Sequence, residues 1–209
     1  MKQGIKRAVR ATVDPLGRRL AQLGLSANLV TLLGLLFAAV AAYGFFREDG
    51  PLAFVFLLAS GLADLLDGAV ARARNLRGTP FGAALDSTLD RYGEGLVLGG
   101  ILIGLATRGA APWLVALSLL AGIGSFLVSY VRARAEGLGY ACEVGMLERP
   151  ERLVLLLALA LWGRAGEPWI LGALALLTHV TFIQRLLHVR GSAARATAQP
   201  TEKNRERVG

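Results

Sequence analysis

The stretch GLADLLDGAVARARNLRGTPFGAALDSTLDR, residues 61–91, places four aspartates inside two otherwise apolar helical runs. Asp64 and Asp67 are three residues apart and Asp86 and Asp90 four apart, so each pair falls on one face of its helix. Between the runs, Arg77, Gly78, Thr79 and Pro80 read as a turn, a capping threonine and a proline suited to a first helical position. Asp67 and Asp64 lie 8 and 11 residues before Asn75, and Asp86 and Asp90 lie 7 and 11 residues after Thr79. At about 1.5 Å of rise per residue, all four reach a matching depth, about 10–17 Å from the turn. The pattern therefore predicts an antiparallel hairpin whose carboxylates converge on one point.

What surrounds the hairpin reads as membrane. Of 209 residues, 54% are hydrophobic and only 18% charged, and the mean hydropathy is +0.51. Six apolar segments, at about 28–46, 52–74, 80–106, 112–134, 150–163 and 169–188, are separated by breaks rich in glycine, proline and charge. Several reach or approach the roughly 20 residues that cross a hydrocarbon core. The expected fold is an all-α polytopic membrane protein with six transmembrane helices in one domain, residues 26–190. An amphipathic juxtamembrane segment, residues 1–25, precedes it, split into two pieces by Pro15. A polar, basic tail, residues 191–209, is expected to be disordered. No cleavable signal peptide is expected, because aromatics rather than a small-residue site follow the first apolar run.

The formal charge of +8 invites a nucleic-acid reading, but the basic residues are interleaved between spans rather than gathered in a soluble module. Nineteen of the 23 Lys and Arg residues fall in the two termini and the loops after the second and fourth segments. That bias predicts a cytoplasmic-membrane protein with both termini and the aspartate site facing the cytoplasm, and no nucleic-acid partner. The single cysteine, Cys142, excludes an intramolecular disulfide and reads as a packing residue. His179 and His188 read the same way, and Trp113, Trp162 and Trp169 fall beside the outer turns, where an aromatic belt is expected.

Four unpaired carboxylates at one depth would repel one another and resist desolvation, so they need cations. Oxygen ligands at this density suit Mg²⁺, Mn²⁺ or Ca²⁺, and two such ions balance the charge. Gly68 and Gly82 leave room beside the carboxylates for a bulky group, and Arg72 offers a phosphate contact. A transporter or proton relay could also use intramembrane aspartates, but it would need neither the glycines nor the arginine.

Written out, Asp64-x2-Asp67-Gly68-x2-Ala71-Arg72-x9-Gly82-x3-Asp86-x3-Asp90 resembles the defining motif of the CDP-alcohol phosphatidyltransferases. The family commonly has one residue fewer between the arginine and the second glycine, a difference confined to the turn. The resemblance implies six membrane helices, a homodimer, and transfer of a phosphatidyl group from a CDP-lipid to an alcohol with release of CMP. It further implies that Asp64, Asp67, Asp86 and Asp90 hold two Mg²⁺ ions, with Mn²⁺ as the alternative, and that Asp90 is also the general base. Gly68, Ala71, Arg72 and Gly82 would line the CDP-lipid site. Asn28 and Thr31 occupy the place of a Pro-Asn-x2-Thr pattern that lacks its proline here, so they read either as nucleotide contacts or as helix caps.

Residues 129–153, SYVRARAEGLGYACEVGMLERPERL, and Gln184 to Val189, QRLLHV, resemble the branch that uses inositol 1-phosphate as acceptor. That resemblance implies an acceptor-phosphate pocket at Ser129, Arg132, Arg134, Arg152 and Arg185. Arginine stands at 132 where lysine is common, exchanging a point charge for a fork. Positive-inside bias alone would also put arginines here. Arg149 and Arg152 open a short segment near the membrane boundary, and Glu148 and Glu151 are expected to pair with them. The expected partners are thus CDP-diacylglycerol, inositol 1-phosphate, membrane lipid and a second copy of the chain. Glycerol 3-phosphate as acceptor and CDP-archaeol as donor are the nearest alternatives. An intramembrane prenyltransferase is more remote, since its aspartate motifs lie on distant helices.

Overall fold

The computed structural model describes residues 2–74 and 79–198, and all of its regular elements are helices. They are α1 (Lys2–Gln22), α2 (Ala27–Phe46), α3 (Gly50–Ala73), α4 (Pro80–Thr107), α5 (Pro112–Gly137), α6 (Arg149–Trp162) and α7 (Glu167–Ala198), with one 3₁₀ turn (Gly163–Ala165) before α7. The turn at 75–78 and the last eleven residues lie outside the described residues.

The helix starts follow from local chemistry. Ser26, Asp49 and Thr79 precede α2, α3 and α4, and each side chain accepts a hydrogen bond from a first-turn backbone N–H, at 3.2, 3.0 and 3.0 Å. Proline sits in the first turn of α3, α4, α5 and α6, where its missing N–H has no intrahelical partner to lose. Four of the helices, α2, α3, α5 and α7, are long and apolar enough to cross a membrane. The 28-residue α4 carries Asp86, Asp90, Arg91 and Glu94 along its length, and α6 has only 14 residues.

Small residues bring the helices together. A Cβ on Gly100 of α4 would lie 2.9 Å from the carbonyl carbon of Ala42 in α2, and one on Gly124 of α5 would lie 2.8 Å from the Cβ of Thr178 in α7. Backbones that approach this closely maximise dispersion where lipid removes the hydrophobic drive between helices. α2, α3 and α4 form one bundle, α5 and α7 pair beside it, and α6 bridges the two. Leu57, Val97, Ile101, Leu156, Leu159 and Leu174 are buried where these groups meet. Leu36, Val55, Leu161 and Leu176 point outward, as lipid-facing residues do.

Two expectations need correction. Pro15 does not split the N-terminal segment, since α1 is one helix with Pro15 inside it. Docking on α3 offsets the proline's cost of about 3 kcal/mol: Gly17 is buried against Ala69, and Asp14 pairs with Arg72 at 2.7 Å. The last helix also runs past Gly191 to Ala198, eight residues into the stretch expected to be disordered. Ala193, Ala194, Ala196 and Ala198 are strong helix formers and simply extend it.

At the end of the bundle away from the aspartates, Glu48 binds Arg164 at 2.6 Å and Arg108 at 3.1 Å, and Arg108 also binds Glu167. This network ties together the turns before α3, after α4 and before α7. Glu48 itself has a left-handed φ of 59°, and the hydrogen bonds of Arg164 to one of its oxygens hold its carboxyl below the usual carboxylate range.

Candidate active site

Three of the four aspartates of the hairpin converge. One carboxylate oxygen from each of Asp64, Asp67 and Asp86 lies within 4.8 Å of the other two. Asp67 is buried, and the Thr31 hydroxyl donates to it at 2.9 Å from α2. Oδ1 of Asp86 is buried with no hydrogen-bond partner among the described residues. A buried carboxylate oxygen without a donor beside two more carboxylates is the donor set of a hard divalent cation, and these residues fit one.

Asp90 stands beside this trio rather than in it, linked to Asp64 through Arg149. Both of its oxygens accept from Arg149, one at 2.7 Å, and the same guanidinium donates to Asp64 at 2.7 Å. One turn further along α4, Glu94 receives a bidentate pair from Arg152 at 2.6 and 3.0 Å. Arg91 lies 3.6 Å from Asp90. With full charges, five carboxylates here (Asp64, Asp67, Asp86, Asp90, Glu94) face three guanidinium groups (Arg91, Arg149, Arg152), leaving an excess of negative charge that invites a cation.

A cavity of about 200 Å³ opens beside the cluster between α2, α3, α4 and α6. Asp64, Asp67, Asp90 and Arg149 line its polar side, and Leu57, Val97 and Leu156 its apolar depth. Gly68 and Gly82 border open space: a Cβ on Gly68 would meet only Nη1 of Arg72 at 3.2 Å, and one on Gly82 only Thr79 and Asn28 side-chain oxygens, at 3.1 and 3.6 Å. Asn28 is exposed near Gly82, and Ala71 is half-buried on α3. Thr31 caps nothing, because the α2 cap is Ser26. Arg72 is exposed on α3 with Asp14 as its partner.

The model of the CDP-alcohol phosphatidyltransferase family matches residues 25–184, about three quarters of the chain. The chain belongs to the CDP-alcohol phosphatidyltransferase family. This CDP-alcohol phosphatidyltransferase is thus an enzyme, a membrane transferase. It is 43% identical to the archaetidylinositol phosphate synthase of Methanothermobacter thermautotrophicus over 185 residues, covering 87% of this chain and 90% of that one. It is 40% identical to the phosphatidylinositol phosphate synthase of Mycobacteroides abscessus, covering 86% and 84%. Among solved structures it resembles the Mycobacterium tuberculosis phosphatidylinositol phosphate synthase with CDP-DAG bound, with a TM-score of 0.78, 33% identity and coverage of 85% and 92%. The same Mycobacterium tuberculosis enzyme has been solved in complex with manganese and citrate, which agrees with use of a divalent metal here.

The arginines expected at the acceptor pocket of this transferase are not all alike. Arg152 and Arg185 are buried, at 2% and 3% exposure. Arg185 donates to the carbonyls of Val144 at 2.8 Å and Val128 at 2.6 Å, and so clamps the loop 138–148 between α5 and α7. The N–H of Leu147 in that loop donates to Thr181 at 3.1 Å, and Gly145, at φ 135°, presses against the same threonine. Arg132 is exposed and pairs with Glu136 at 2.8 Å, Arg134 is exposed, and Ser129 donates to the Ser125 carbonyl at 3.3 Å. Arg149 and Arg152 make ion pairs with Asp64, Asp90 and Glu94 from α3 and α4. The buried Arg152 and the partly exposed Arg149 take the carboxylates that the bundle interior offers, while Glu151 points outward. Glu94 and Asp14 were not singled out from the sequence. Glu94 had a legible signal, since it continues the i, i+4 row of Asp86 and Asp90. Asp14 had none, because its partner is 58 residues away.

Proposed function

We propose that the chain transfers a phosphatidyl group from CDP-diacylglycerol to a hydroxyl of inositol 1-phosphate, giving phosphatidylinositol phosphate and CMP. The observation that carries this reading is the convergence of Asp64, Asp67 and Asp86 beside a cavity that is polar at one wall and apolar in its depth. The acceptor is supported by relatives 40–43% identical that are named for inositol-phosphate lipids. The archaetidylinositol name of one of them keeps CDP-archaeol as a second donor reading.

Two Mg²⁺ ions, with Mn²⁺ as a substitute, would neutralise the pyrophosphate and the departing CMP when bound. Asp64, Asp67 and Asp86 would hold them, with Asp90 sharing one at the edge. Thr31 fixes the carboxylate of Asp67 by its hydrogen bond. Gly68, Ala71 and Gly82 admit the cytidine and phosphate to the helix backbone, Asn28 lies within reach of them, and Arg72 exchanges Asp14 for a phosphate oxygen. Asp90 takes the proton of the acceptor hydroxyl as its oxygen bonds to the β-phosphorus and the bond to CMP breaks. Arg132 and Arg134, exposed at the end of α5, and Ser129 bind the acceptor phosphate together with Arg152. Arg185 supports this pocket by holding the loop rather than by direct contact.

In this reading α4 and α6 complete six spans, because their polar residues face the site and not lipid. Residues 1–25 lie at the cytoplasmic surface, residues 26–190 form the catalytic domain and a short tail follows. The site and both termini face the cytoplasm, and two chains form a homodimer. The purified protein in detergent, given Mg²⁺, CDP-diacylglycerol and inositol 1-phosphate, should yield a lipid whose mass carries an inositol phosphate headgroup. No such lipid, with CMP released by another acceptor, would overturn the acceptor assignment.

A further inference from the structure

We propose that Arg149 is a two-position guanidinium. It is the counter-ion of Asp64 and Asp90 in the unloaded site, and it leaves them for a substrate phosphate once those carboxylates take a divalent cation. The inference rests on the functional reading above and adds a substrate-binding residue to it.

The geometry makes the two occupants exclusive at Asp90 and in competition at Asp64, which keeps one oxygen free. Arg149 engages both oxygens of Asp90 and one of Asp64. Divalent cations bind carboxylate oxygens at about 2.0–2.6 Å. A cation using these same oxygens would meet the guanidinium charge at contact distance in a partly buried cluster, where like charges repel more strongly than in water. The guanidinium must then move, and only its side chain need do so. Arg149 is the first residue of α6, followed by Pro150. The preceding loop is clamped by Arg185 and Thr181. The Arg149 side chain is about one-third exposed and lines the cavity. Arg152, one turn on, offers the contrast: it is buried and bound bidentately to Glu94, outside the Asp64–Asp90 pair. A planar, always-charged fork released beside a metal-filled carboxylate cluster has one natural partner in this reaction, a phosphate oxygen. Donor and acceptor both carry one.

The test reads Arg149 directly. Wild-type protein in detergent is treated with phenylglyoxal, and modification of Arg149 is followed by peptide mass spectrometry. The arms are no addition, Mn²⁺ alone, Mn²⁺ with CDP-diacylglycerol, and Mn²⁺ with inositol 1-phosphate. Mn²⁺ alone should raise the modification rate several-fold, and one of the two substrates should then lower it, which names the phosphate. A rate that is unchanged or lower with Mn²⁺ alone overturns the proposal, as does a rate that neither substrate lowers. A second measurement is Mn²⁺ binding by electron paramagnetic resonance without substrate. With the competing cation gone, Arg149→Gln should bind Mn²⁺ about tenfold more tightly, given the strength of charge-assisted bonds. Equal or weaker binding overturns the proposal. Should Arg149→Gln not fold, Arg149→Lys, which cannot bridge both carboxylates, must show the same direction. A lack of turnover with inositol 1-phosphate would sink the acceptor assignment and leave the Mn²⁺ readouts intact.

Discussion

Replacing Arg152 by alanine separates what this residue does for the fold from what it does for the substrate. Its guanidinium is 2% exposed and donates to both oxygens of Glu94, itself 12% exposed. Removing one partner of a buried pair strands the other charge, which costs about 3–5 kcal/mol. Glu94→Gln should cost somewhat less, since the amide keeps one acceptor for Arg152. The double variant Glu94→Gln, Arg152→Ala leaves neither charge of the pair and should recover about 2 kcal/mol or more of the summed single losses. Unfolding in mixed detergent micelles, followed by tryptophan fluorescence, measures the cycle. Kinetics of the same variants report the second role. Arg152→Ala should raise KM for the acceptor at least tenfold and move that for the CDP-lipid much less. A coupling energy near zero would refute the pair as a structural unit, and equal rises in both KM values would refute its part in acceptor binding.

Asp90→Asn should abolish turnover while CDP-lipid still binds, measured by radiolabelled CMP release and by a binding assay. Retained turnover would remove its role as base. Thr31→Val removes the donor to Asp67 and should weaken Mn²⁺ binding several-fold in a resonance titration, with little change in melting temperature. Glu48→Gln should lower thermal stability modestly, by about 0.5 kcal/mol per lost pair, because Arg164 is largely exposed. Glu48 has a lowered folded-state pKa, so its contribution is full above the ordinary carboxylate range and fades as pH falls through the lowered value. The stability gap between wild type and Glu48→Gln should therefore be flat from pH 7 to about 5 and close at lower pH. A gap that grows on acidification would contradict the network. Gly100→Leu should prevent α2 and α4 from closing, read as loss of a monodisperse peak on size exclusion.

The helix boundaries were legible because turns, caps and prolines mark them in the chain itself, as Thr79 and Pro80 do for α4. The convergence of Asp64, Asp67 and Asp86 was legible too, since helical rise converts sequence spacing into depth. What the sequence hid was pairing between elements. Nothing local in Arg149 says that it reaches Asp64 and Asp90, 85 and 59 residues away. The resemblance places Arg185 in the acceptor-phosphate pocket, and only the fold shows it bound to two backbone carbonyls. Pro15 illustrates the converse case, in which a strong local signal for a break yields to docking of Gly17 on Ala69.

The most direct test of the whole account is acceptor choice by the purified enzyme. CMP release from CDP-diacylglycerol with Mg²⁺ should be fast with inositol 1-phosphate and near background with glycerol 3-phosphate or unphosphorylated inositol. Equal or faster release with glycerol 3-phosphate would contradict it.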